Sequence, residues 1–238
     1  MSLQVMQCHP DPIALAAWAT RQGLLSPDGD YGYALHALLR AAFGKQAPKP
    51  FRYLGGRQGL LAYTDSTAET LQESTSLATP DVARALGLES LDTRKFPSAW
   101  REGQRLGFEV RIRPVVRTRD GRERDAYLHA VEPTEPDSGP RREAVYADWL
   151  TKQLGADGAA QLLNGRMDAF RLCRVIRRAH DGNNGKRKTK SFNGPDALFK
   201  GELAVTDGEA FSHLVTRGIG RHRTFGFGML LLKPANSC

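Results

Sequence analysis

The 238-residue chain is poor in the features that announce several common protein classes. It has only three cysteines, Cys8, Cys173 and Cys238, an odd number without CxxC spacing, which argues against a disulfide framework or a zinc knuckle. No apolar run approaches the ~18 to 20 residues that span a bilayer. The opening MSLQVMQCHPDP lacks the basic-then-apolar layout of a secretory leader, so a soluble, cytoplasmic protein is expected. No GxxxxGK[ST] loop is present, and the glycine-rich stretch precedes a strand rather than opening a helix, which excludes the P-loop and the dinucleotide fingerprint. The six histidines form no HxxxH or HExxH pair, so neither a metal nor any other cofactor is expected.

What the chain has is positive charge. Thirty-four Lys and Arg against 26 acids give +8 and a pI near 9.6, the balance of a nucleic-acid partner. The excess is local. Residues 166–190 hold nine basic residues against Asp168 and Asp181, so +7 lies in about a tenth of the chain. The bases are Arg166, Arg171, Arg174, Arg177, Arg178, Lys186, Arg187, Lys188 and Lys190, grouped around the turn chemistry of HDGNNGKRKTK. A projecting basic hairpin can follow a phosphate backbone and release its counterions. Residues 101–125 hold eight arginines against five acids. Within FEVRIRPVV the alternation predicts a strand, with Val110 and Ile112 on one face and Arg111 and Arg113 on the other. Those arginines either line an RNA path or are solvated.

The elements of the first half run roughly β-α-β-β-α-β, and the second half also reads as strands around helices. In the first half, Leu3–Gln7 reads as a strand, and Asp11–Arg21 and Tyr31–Phe43 as helices, the second with Asp30 as N-cap and Gly44 at its stop. A hairpin follows at RYLGG and GLLAYT, then a helix after Ser66, and the strand around Val110 closes the set. EPTEPDSGP, residues 132–140, reads as a linker between domains 1–131 and 141–238. The second half begins with the helix RREAVYADWLTKQLG and a helical or loop piece through Leu163. Strands at Phe170–Arg177, Lys188–Phe192 and LFKGELAVT follow, then a helix capped by Asp207 and a last strand FGFGMLLLKP. The expected fold is two α+β sandwiches in tandem.

Two stretches carry candidate chemistry. On the helix Tyr31–Phe43, Leu35, Leu38, Leu39 and Ala42 gather on one side, while Tyr33, His36 and Arg40 share another face. Tyr, His and Arg together supply a proton donor or acceptor, a titrating imidazole and a fixed cation. Those groups suit RNA cleavage by the neighbouring 2′-hydroxyl, in which a base, an acid and a cation act on one phosphate. In RGIGRHRTFGFGMLLLK, residues 217–233, Gly218, Gly220, Gly226 and Gly228 bracket Arg221, His222 and Arg223. Such a loop can turn backbone N–H groups and arginines to a phosphate, or its glycines can serve a helix C-cap and close sheet packing.

GIGRHRTFGFGMLLL resembles the C-terminal glycine-rich loop of the repeat-associated (RAMP) CRISPR proteins, and DYGYALHALLRAAFG resembles the catalytic helix of the CasE (Cse3) endoribonucleases. The resemblance runs the whole chain. It implies tandem ferredoxin-like (RRM-like) domains that bind the stem-loop of a CRISPR repeat transcript and cut it without metal, leaving a 2′,3′-cyclic phosphate. It further implies that the protein stays on its product within a multisubunit interference complex. On this likeness Tyr33 and His36 match the family's catalytic pair. Arg21, Arg40 and Arg223 compete to assist it, and the acid and base are not distinguished. Arg223 falls on the loop's basic position, Gly218, Gly220, Gly226 and Gly228 on its glycines, and Arg174 to Lys190 on the element that enters the stem's major groove. A non-cleaving RNA-holding subunit and another structured-RNA binder are the alternatives.

Overall fold

The computed structural model describes residues 3–132, 139–180 and 187–235, and from 175 to 192 the backbone alone. The chain forms two compact units. The first comprises 1–96, 173–193 and 224–226; the second comprises 97–172, 194–223 and 227–238.

The first unit runs β1 (Gln4–Cys8), α1 (Pro12–Arg21), α2 (Gly32–Phe43), β2 (Phe51–Tyr53), β3 (Leu60–Thr64), α3 (Ala68–Thr75), α4 (Pro80–Leu86) and β4 (Asp92–Lys95). Its sheet has the order β2-β3-β1-β4, every neighbour antiparallel. Paired residues share a face, so Met6 beside Ala62 and Cys8 beside Leu60 place one apolar row toward the helices. That row is buried with Leu15 and Trp18 of α1, Leu35, Leu38 and Leu39 of α2, and Val82 and Leu86 of α4. Burial in this core pushes the Cys8 thiol up to about 12, with Glu89 adding to the effect, so Cys8 acts as a small apolar filler.

The second unit holds β5 (Arg105–Ile112), the ribbon β6 (Val115–Arg117) and β7 (Glu123–Asp125), and the helices α5 (Ala126–Val131) and α6 (Arg142–Leu154). Then come β8 (Ala160–His180) and β9 (Arg187–Val205), of which residues 173–180 and 187–193 belong to the first unit, then α7 (Gly208–Arg217) and β10 (Leu230–Pro234). Its sheet order is β10-β5-β9-β8. Numbering only the strands within each four-stranded sheet in chain order, both sheets read 4-1-3-2, the ferredoxin-like order, and the chain is a tandem of two such α+β sandwiches. Leu106, Phe108, Val110 and Ile112 alternate inward along β5 and are all buried.

Several elements differ from the sequence reading. The strand around Val110 does not close the first sandwich; it opens the second, paired with β9 and β10. The closing place is taken by the short, polar β4, whose DTRK carries no apolar alternation to advertise it. The sheets therefore change between β4 and β5, and not at the proline-rich 132–140, most of which lies outside the described residues. The piece expected as helix or loop through Leu163 is the start of β8, and the two strands expected between Lys188 and Thr206 are one, β9. The last strand begins only at Leu230. Between the helix after Ser66 and β4 lies a further helix, α4, started by a proline in its first turn and ended by Gly87 in the left-handed conformation.

Candidate active site and glycine-rich loop

Helix α2 places the polar trio as its spacing requires. Leu35, Leu38, Leu39 and Ala42 are buried, Tyr33 and His36 are half-buried, and Arg40 is exposed. Asp30 is not the N-cap. Tyr31 takes that position, and Asp30 is instead buried, its Oδ1 accepting the Gly32 amide at 2.9 Å.

The two candidate catalytic rings close on a third. Phe225, in the short 3₁₀ turn Arg223–Phe225, lies 5.5 Å from Tyr33 at 37° and 5.5 Å from His36 at 87°, while Tyr33 and His36 are 6.1 Å apart. Gly32 makes this approach possible, because a Cβ there would stand 2.3 Å from the Phe225 carbonyl oxygen. Burial lowers the affinity of His36 for a proton, and the Arg40 and Lys49 charges lower it further, so its pKa falls below the ordinary 6.5. The result is a neutral imidazole, held between aromatic rings, at physiological pH. Sequence reading missed Phe225 and Gly32. Phe225 lay inside a motif read for its glycines, and Gly32 lay inside the expected helix Tyr31–Phe43 with nothing local to single it out.

The loop before α2 also holds the root of the basic hairpin. The Arg174 amide donates to the Asp28 carboxylate at 2.6 Å, and its carbonyl accepts from the buried Ser26 hydroxyl at 2.5 Å. The Arg174 side chain itself is exposed and bonds Asn193. Of the other hairpin candidates, Lys186 lies outside the described residues, as do the side chains of Arg177, Arg178, Arg187, Lys188 and Lys190.

In the second unit the glycine-rich loop is tied to its own scaffold. Gly218 ends α7 as its C-cap, donating to the Leu214 carbonyl. Gly220, with φ +67°, lies against Trp149, whose ring a Cβ would meet at 2.6 Å. Gly228, with φ +76°, lies against the Ile219 carbonyl, and its amide donates to the Arg111 carbonyl at 2.7 Å. Gly226 likewise has a left-handed φ of 83°. The C-cap and close-packing roles weighed in the sequence are thus present at Gly218, Gly220 and Gly228.

The loop's charged residues divide. Arg221 and His222 both engage Glu123 of β7, at 2.7 Å to one carboxylate oxygen and 2.6 Å to the other. Arg223 is half-buried and donates to the Arg217 carbonyl at 3.0 Å. Arg111 and Arg113 are neither solvated nor free to line a path. Arg111 makes a two-pronged bond to the buried Asp196, each prong 2.7 Å, and stacks 4.3 Å from the Phe227 ring centroid. Arg113 is only 2% exposed. Burial works to raise the Asp196 carboxyl, but the Arg111 and Arg171 guanidiniums outweigh it and hold it below the usual carboxylate range.

A family model described as "CRISPR associated protein" matches residues 6–234. The chain belongs to that CRISPR-associated family. Among solved structures, Thermus thermophilus Cse3 bound to an RNA representing a pre-cleavage complex is 19% identical with a TM-score of 0.63, over 98% of this chain and 100% of that one. A second structure of CRISPR endoribonuclease Cse3, bound to 19 nt RNA, is 20% identical with a TM-score of 0.65, over 98% of each chain. Cas6e from Escherichia coli K-12 is 19% identical with a TM-score of 0.50, over 99% of this chain and 100% of that one. No curated protein sequence gives a match. These likenesses show that this CRISPR-associated chain shares the Cse3 fold along its whole length. Among its described residues no helix is long and apolar enough to cross a membrane, and no three His, Cys, Asp or Glu side chains gather as a metal's ligands would.

Proposed function

We propose that this protein is an endoribonuclease that binds the stem-loop of CRISPR repeat RNA and cuts it by attack of the neighbouring 2′-hydroxyl. The observation that carries this reading is the His36 imidazole, kept neutral by burial and by Arg40 and packed with Tyr33 against Phe225. A neutral imidazole can take the 2′-hydroxyl proton as the O2′–P bond forms. The P–O5′ bond then breaks, and the departing 5′-oxygen takes a proton from an acid, for which the Tyr33 hydroxyl is the candidate on the same helix face. A guanidinium, for which Arg40 on the same helix is the candidate, offsets the charge that gathers on the phosphorane. The atoms balance without a metal, and the products are a 2′,3′-cyclic phosphate and a free 5′-hydroxyl.

The partners follow from the same reading. Basic residues from Arg174 to Lys190 would track the phosphates of the stem, whose A-form major groove is deep and narrow. The related Cse3 structures contain RNA, and a retained product would place the protein in a larger CRISPR ribonucleoprotein in the cytoplasm.

The deciding experiment is cleavage of an end-labelled repeat stem-loop in EDTA, wild type beside His36→Ala. A single cut by the wild type alone, ending in a cyclic phosphate, is the expected result. Tight binding without cleavage by either protein would replace the enzyme with an RNA-holding subunit. Cleavage by both would remove His36 from the chemistry.

A further inference from the structure

The root of the basic hairpin is held by side chains of a loop, and that loop launches the helix bearing Tyr33 and His36. Along a strand, the amide and carbonyl of one residue point to the same side, where a neighbouring strand ordinarily takes both. At Arg174 of β8 two side chains take that place. The Asp28 carboxylate accepts from the amide at 2.6 Å, and the Ser26 hydroxyl donates to the carbonyl at 2.5 Å.

The two anchors differ in kind. Ser26 is only 4% exposed, and its own carbonyl accepts the Gly29 amide at 2.9 Å, which closes residues 26–29 into a turn. Asp28 is exposed and offers a charged acceptor, the stronger sort for an amide. Asp30 follows, buried, with its Oδ1 on the amide of Gly32, the first residue of α2. Ser26, Asp28 and Asp30 thus each spend a side chain on backbone, and together they tie the hairpin root to the start of the catalytic helix.

The tie has leverage. Beyond Arg174 the chain continues as strand to His180 and returns as strand from Arg187 in the neighbouring β9, carrying Arg177, Arg178, Arg187, Lys188 and Lys190. His180 lies six residues past the clasp, about 20 Å at the rise of a strand, so a turn of about 10° at the root moves that end by about 3 Å. Misplacing reacting groups by about 1 Å can cost roughly a hundredfold in rate.

We propose that Ser26 and Asp28 are positioning residues for the cleavage, a clasp that holds the hairpin, and the stem it carries, where the scissile phosphate meets His36. The inference rests on the endoribonuclease reading and gives neither residue contact with the reacting atoms.

The test measures single-turnover cleavage and stem-loop binding for the wild type, Asp28→Ala, Asp28→Asn and Ser26→Ala. Asp28→Ala removes one anchor at an exposed position, so the fold should be kept. The amide oxygen of Asp28→Asn can still accept from the Arg174 amide. Asp28→Ala is expected to lower the rate at saturating RNA by roughly ten- to a hundredfold while Kd stays within about twofold, the pattern of lost positioning. Ser26→Ala should do the same, and Asp28→Asn should recover most of the rate. The acid limb of the rate should keep its wild-type midpoint throughout, because Arg40, Lys49 and Phe225 still surround His36.

A wild-type rate at saturating RNA in Asp28→Ala, with or without weaker binding, would overturn the clasp. A displaced acid limb would overturn it too, by placing the effect in His36 itself, as would a loss in Asp28→Asn as deep as in Asp28→Ala. Should Ser26→Ala fail to fold, the Asp28 pair decides alone. All of these outcomes leave the proposed function standing, whereas a wild type that cuts no stem-loop would reject that function and the clasp with it.

Discussion

The His36 imidazole stands edge-on to the Phe225 ring, centroids 5.5 Å apart and planes at 87°. That contact joins a helix near the start of the chain to a residue near its end, and the chemistry of His36 depends on it. The aromatic ring displaces water from one side of the imidazole, so the charged form loses solvation that the neutral form scarcely needs. The same ring holds Tyr33, so one side chain orients both candidate catalytic groups.

His36 should therefore titrate below 6.5, the ordinary histidine value, and Phe225→Ala should move its midpoint upward by readmitting water. Arg40→Gln should move it the same way by removing a nearby cation. Proton NMR of the imidazole across the pH range checks both shifts. The linkage sign follows: with the folded pKa below the unfolded one, the stability contributed by neutral His36 is fully present above the unfolded value and declines as pH falls through 6.5 toward the folded midpoint. Cleavage rate should lose its base form over the same acid window. A His36 midpoint at or above 6.5 would remove this account of its neutrality.

Gly32→Ala should be costly for its size. The added methyl would stand 2.3 Å from the Phe225 carbonyl and 2.8 Å from Asp30 Oδ1, and backbone cannot yield as a flexible side chain would. Overpacking of this kind costs about 1–3 kcal/mol. Urea unfolding should show that loss, and single-turnover cleavage should fall with it because the 3₁₀ turn bearing Phe225 must retreat from α2. Wild-type stability and rate together in Gly32→Ala would mean the two backbones need not approach so closely.

The two faces of α2 were legible in the sequence because period 3.6 is a strong signal: four apolar positions marked the buried side, and the polar trio fell on another face. The alternation of strands and helices was legible too, because strands show a period of two where helices show 3.6. The assignment of the Val110 strand was not. Its alternation says only that one face is buried, and nothing local says which sheet it joins; that is fixed by pairing with Ala197–Ala204 and Leu230–Pro234, roughly a hundred residues away. Its arginines were read as solvated or RNA-lining for a related reason. Asp196, which neutralises Arg111, is 85 residues distant and invisible to any local charge count. Phe225 escaped notice because an aromatic residue between glycines has many uses, and only the fold brings it to His36.

Asp196 should prove a structural anchor for the glycine-rich loop. Its buried carboxylate bonds both Arg111 and Arg171, and Arg111 in turn stacks on Phe227 and supplies the carbonyl for the Gly228 amide. Asp196→Ala strands the largely buried Arg111 charge, and breaking such a pair costs about 3–5 kcal/mol. Because the folded pKa of Asp196 lies below its ordinary 3.8, this stabilisation is present above that value and is lost as pH falls through the folded pKa. Acid unfolding monitored by circular dichroism should show the wild type losing this contribution at low pH and Asp196→Asn having none to lose. Coincident acid limbs for the two proteins would show that the carboxylate is not ionised in the fold.

The remaining prediction concerns the charge run that dominated the sequence. Arg187, Lys188 and Lys190 supply three of the nine bases between 166 and 190. Replacing all three by glutamine should weaken stem-loop binding and lower its salt slope by roughly three units at most, one for each phosphate no longer gripped. The effect should fall on affinity and spare the rate at saturating RNA, because His36 and Tyr33 lie on a different element and keep their geometry. It should also exceed that of Arg174→Gln, since the Arg174 backbone is held by Ser26 and Asp28 while its side chain is already engaged with Asn193. Salt-series binding with a labelled repeat stem-loop measures all four substitutions on one scale. An unchanged slope in the triple variant would mean that the largest concentration of positive charge in the chain points away from RNA, and the grip on the stem would then have to come from the second unit's loop arginines.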